Sequence, residues 1–126
     1  MTVDRIRNTI MPIPSEINAL ADRLNQELNQ LEQEATEGVA IARNILDSFP
    51  NNARLIQFFA VFNNTIFFVE TERRRIRSIV ENLSGSESTT YEEIQEAGED
   101  LASELGRVLE AKIAVSNLKN RLENLL

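Results

Sequence analysis

The sequence predicts an all-α protein: an elongated antiparallel bundle of three long helices with coiled-coil-like packing, plus a short N-terminal segment, completed by dimerisation. Three observations predict it. Apolar residues recur at spacings of three and four along most of the 126-residue chain, helix-breaking residues cluster at only three places, and the hairpins those breaks imply set large side chains against small ones. A chain of this length reads as one domain, residues 1–126, large enough to bury a core without metals or disulfides.

The breaks divide the chain into an arm over 1–14 and helices over 15–48, 52–83 and 90–126. Pro12 and Pro14 precede Ser15, which has the chemistry of an N-cap. The run Ser48-Phe-Pro-Asn-Asn52 ends one helix and starts the next. Ser84 to Thr90 is a low-complexity loop, and Thr90 with Glu93 forms the Ser/Thr-x-x-Glu capping box.

In the first helix, Ile17, Ala21, Leu24, Leu28, Leu31, Ala35, Gly38, Ala42, Ile45 and Phe49 keep a heptad rhythm without interruption. The second continues it through Leu55, Phe59, Phe62, Ile66, Val69, Arg73, Ile76, Val80 and Leu83, with one charge in the seam. The third runs from Ile94 to Leu125 with one phase shift near Leu105. Folding the first hairpin about Pro50 sets Phe58 and Phe62 against Ala42 and Gly38. Folding the second about Glu87 brings the same rings beside Ala111, Lys112, Ala114 and Ser116.

Charge differs by segment. Residues 1–50 carry four basic and eight acidic groups, residues 51–84 five and three, and residues 85–126 four and nine, so the second helix alone is cationic. This predicts a central second helix flanked by two anionic neighbours. The chain has no cysteine and no histidine, which excludes disulfides, thiolate zinc sites, thiol nucleophiles and imidazole acid–base chemistry. The start Met1-Thr-Val-Asp-Arg-Ile-Arg7 lacks a secretory pattern, and the apolar window 55–69 is too short to span a bilayer. These features predict a soluble, cytoplasmic protein with no membrane partner.

Five of the six phenylalanines lie in the second helix. Phe58, Phe59 and Phe62 share one side, while Phe67 and Phe68 fall opposite with Ile56 and Ala60, so the helix is apolar nearly all round and needs cover on every side. The arm, through Val3, Ile6, Ile10, Met11 and Ile13, and a second subunit are the two sources. A twofold homodimer through Ile56, Ala60, Phe67 and Phe68, with Asn63 and Asn64 fixing register, is the expected arrangement.

Arg73, inside the seam, is expected to form a structural ion pair with Glu27, Asp100 or Glu104. The run Glu70-Thr-Glu-Arg-Arg-Arg-Ile-Arg77 is the basic cluster a nucleic acid would need, through Arg74, Arg75 and Arg77, but its glutamates and the net charge of −7 oppose phosphate binding. Glu92, Glu93, Glu96 and Asp100 offer carboxylates one turn apart, able in principle to hold Mg²⁺ for a nucleotide or phosphoester hydrolase. Over these five residues, Glu92 to Glu96, the run is similar to that of the all-α nucleotide pyrophosphohydrolases, although the later acidic pair that completes their site is missing here. Acidic residues also gather in a first turn simply because they complement the helix dipole. The sequence therefore favours a non-catalytic scaffold, adaptor or regulatory protein with no cofactor, working as a homodimer or on another protein partner.

Overall fold

The computed structural model describes residues 14–84 and 90–125; the arm's apolar residues, the 85–89 stretch and Leu126 lie outside them. Three helices fill the described chain: α1 (Ser15–Ser48), α2 (Ala53–Ser84) and α3 (Tyr91–Leu125). At 1.5 Å per residue each is about 50 Å long.

Local signals set their ends. Helix α1 is capped by Pro14, not Ser15: the Pro14 carbonyl accepts from the backbone N–H groups of Ile17 and Asn18 at 3.0 and 3.2 Å, and no side chain caps the turn. Proline at this position has its φ already fixed, so Ser15 becomes the first helical residue. Asn52 caps α2 by accepting from the Leu55 N–H at 3.1 Å. Thr90 and Glu93 close the capping box in both directions, Glu93 N–H to Thr90 Oγ1 at 3.1 Å and Thr90 N–H to the Glu93 carboxylate at 3.3 Å.

Helix α1 is the shared element. It packs along both α2 and α3, whereas α2 and α3 touch over a much shorter stretch. The predicted seam of α1 is buried from Ile17 through Ala42, with Leu24, Leu28, Leu31 and Ala35 fully shielded, and it opens only at Ile45 and Phe49. The cationic α2 is thus a flank, not the centre expected from charge. Burial decides this: surface ion pairs contribute only about 0–1 kcal/mol each, far less than a line of buried leucines.

The register follows from side-chain contacts. Phe62 meets Gly38, Arg43 lies over Phe59, and Arg73 reaches Asn29 and Glu32, so partner numbers on α1 fall as those on α2 rise. That order belongs to helices running in opposite directions. Between α1 and α3 the numbers rise together: Lys112 bonds Glu27 and Gln30, Ser116 bonds Glu34, and Lys119 bonds Glu37. Lys112 and Ser116 are therefore directed at α1 rather than placed beside the phenylalanines of α2.

The expected match of Phe62 with Gly38 is close. A Cβ built on Gly38 would lie 2.5 Å from the Phe62 ring, which is fully buried. Gly38→Ala should therefore destabilise the bundle by about 1–3 kcal/mol of overpacking, against which the better helix propensity of alanine returns only about 1 kcal/mol. Gly106 is the contrast, because a Cβ there meets nothing within 4 Å. Gly106→Ala should stabilise by up to about 1 kcal/mol. Urea unfolding of both variants, monitored by circular dichroism, checks the opposite signs.

Candidate functional site

Helix α2 presents two candidate surfaces, an outer face with exposed apolar residues and a polar seam towards α3. On the outer face Ile56 is 48% and Phe67 68% exposed, with Ala60, Asn63 and Asn64 also exposed between them. Four residues advance a helix by slightly more than one turn, so Ile56, Ala60 and Phe67 line one stripe. Phe68 departs from the expected grouping. It is half-buried against the core and its ring lies 5.8 Å below the Arg107 guanidinium of α3. One residue turns the helix by 100°, so Phe67 faces out while Phe68 faces α3. The Asn63 amide donates to the Phe59 carbonyl at 3.2 Å and is held against its own helix.

Arg73 is paired, but with none of Glu27, Asp100 or Glu104. Its Nη1 and Nη2 donate to the two Glu32 carboxylate oxygens at 2.7 and 3.2 Å, and Nη2 also donates to Asn29 Oδ1 at 2.7 Å. This fork holds the Glu32 carboxyl below its usual range. Glu27 instead receives Lys112 at 2.8 Å. The same 100° rotation explains the difference: Arg73 points at α1, and its neighbour Glu72 points at α3.

Glu72 was not visible in the seam pattern, yet it is only 2% exposed. Glu104 of α3 is buried beside it. Arg75 Nε approaches Glu104 at 3.1 Å, and Arg107 Nη1 approaches Glu104 at 3.2 Å and Glu72 at 3.9 Å. Glu72 Oε2 has no hydrogen-bond partner among the described residues. An ionised carboxylate beside a second carboxylate has nothing to accept from it; a protonated one donates to it. Burial first, then the hydrogen bond and charge of Glu104, push the Glu72 carboxyl up to about 7, while Arg107 and Arg75 oppose the shift. A length-matched amphipathic reading assigns Glu72 to solvent, and only the helix rotation shows otherwise.

Three of the four remaining acidic candidates share one hollow without forming a metal-holding group. Glu93, Glu96 and Asp100 border an open hollow of about 330 Å³ with Ile79, Asn82 and Leu83, and Glu92 is exposed outside it. Glu93 is engaged at the α3 start. Among the described residues no group of three or more acidic side chains is placed to hold a metal ion. Of the basic run, Arg75 is tied to Glu104 and Arg73 to Glu32, while Arg74 and Arg77 are exposed. No helix among the described residues is long and apolar enough to cross a membrane.

The Glu72 carboxyl gives stability a defined pH dependence. Because its folded value lies above the unfolded one of 4.5, the folded chain holds the extra proton between about 4.5 and 7, and stability falls as pH rises through that window. Glu72→Gln keeps the shape and supplies a permanent donor to Glu104. It should raise the melting temperature at pH 8, change it little at pH 4.5, and flatten the slope between them, as thermal melts across pH would show. No family model, no curated protein and no solved structure matches this chain.

Proposed function

We propose that the chain is a non-catalytic helical scaffold, adaptor or regulatory protein that acts by protein–protein association, as a homodimer through the outer face of α2. One observation carries the reading: Ile56 and Phe67 stand exposed along a stripe on a helix whose opposite face is already buried on α1. An isolated exposed apolar residue is ordinary, but a stripe of them at helical spacing is the form in which helices pair. Burying a phenylalanine removes about 150–250 Å² from water, worth roughly 25 cal/mol per Å².

Twofold symmetry suits a single long helix, because the same stripe then serves as both halves of the contact. Asn63 lies within the stripe and Asn64 at its edge, and both would penalise shifted registers, as polar residues in helical interfaces do. The two paired arginines, Arg73 and Arg75, support association with protein over association with nucleic acid, since their charge is already answered within the bundle.

Sedimentation equilibrium tests the reading. The expected mass across micromolar concentrations is twice the 14.3 kDa of one chain, and Phe67→Glu should weaken the dimer by at least about tenfold while leaving the far-ultraviolet spectrum unchanged. A native mass of 14.3 kDa throughout that range overturns the homodimer. Proteins that co-purify from the host and are lost with Phe67→Glu would identify a heterologous partner.

A further inference from the structure

The end of the bundle at the α1–α2 turn carries a cavity of about 760 Å³, within the range of small-molecule sites. Its floor is apolar, formed by Ile45 of α1 with Leu55 and Phe58 of α2. At its mouth stand Phe49 and Leu125, 61% and 65% exposed, two large side chains left in water. Arg54 from α2 and Arg121 from α3 also line it.

Those two arginines differ from the ones that bridge helices. Arg73, Arg75 and Arg107 each hold a carboxylate, whereas neither Arg54 nor Arg121 has an ion pair among the described residues. Arg54 is moreover placed against the helix field. It lies in the first turn of α2, which contains no acidic residue, and the positive end of the helix dipole disfavours a cation there. An anion bound at this point is attracted by the α2 N-terminus and by both guanidiniums. In a chain of net charge −7, this is a cationic rim over an apolar floor.

We propose that this cavity binds a monomeric anionic amphiphile, one carboxylate head joined to an aliphatic tail. The head lies between Arg54 and Arg121, whose planar forks match a carboxylate better than a point charge would. The tail runs over Leu55 and Phe58 and covers Phe49, taking its ring out of water. The site is independent of the outer face of α2 and of its dimer contact.

Isothermal titration of the full chain with sodium decanoate, below its micelle concentration, tests this. The expected result is saturable one-to-one binding. In the double variant Arg54→Ala, Arg121→Ala it should weaken by about tenfold or more. On the native chain 1-decanol, which has the tail without the charge, should bind weaker by a similar factor, a comparison that needs no variant to fold. Absence of saturable decanoate binding, equal binding of decanol, or undiminished binding by the double variant overturns the proposal. So does the pattern in which vesicles of phosphatidylglycerol are bound through the same arginines while free decanoate is not, because the ligand is then a lipid surface.

Discussion

The approach of α2 to α1 at Gly38 is the contact on which the rest of the bundle depends. The Phe62 ring occupies the volume that any larger residue on α1 would need. That close fit sets the distance and register of the two helices together, because a ring can enter the neighbouring helix only where a side chain is missing. Once the register is set, Arg73 meets Glu32, Arg43 meets Phe59, and the remaining α1 seam is free to receive α3. The lysines of α3 then lock a second, parallel register onto the acidic flank of α1.

A shared central helix leaves α2 and α3 as flanks, and the seam between them is the polar part of the interior. A carboxyl pair with two half-exposed arginines replaces the leucines found elsewhere. Removing such charges from water costs roughly what their attraction returns, so this seam adds specificity more than strength. The thin α2–α3 contact and the unpartnered Glu72 oxygen are two aspects of one arrangement.

Much of the architecture was legible from residue spacing. The α1 seam was readable to the residue because every seam position from Ile17 to Ala42 is apolar or small, and burial then follows periodicity directly. The capping box at Thr90 was readable because its hydrogen bonds join residues three apart. Position within the bundle was not. Charge counting put α2 in the middle, but a net charge has no direction, while the leucines of α1 do. The site was harder still. Arg73 pairs with Glu32 and not with the expected Glu27, Asp100 or Glu104, because its partner depends on a helix rotation of 100° per residue, and a seam that runs through Arg73 leaves the adjacent Glu72 unread. The same rotation separated Phe68 from Phe67.

The capping box has a consequence for how the chain tolerates change. Helix α3 carries its own start signal in Thr90 and Glu93, and its alignment is set far downstream by its buried Leu101, Val108, Val115 and Leu122, with Lys112 and Lys119 bonded to α1 beside them. Neither depends on how many residues separate Ser84 from Thr90. A segment inserted between the second and third helices is therefore expected to leave the α1–α3 register in place, whereas at the turn after α1 Asn52 both donates its backbone N–H to the α1 cap residue Phe49 and caps α2, so that connection has no such slack.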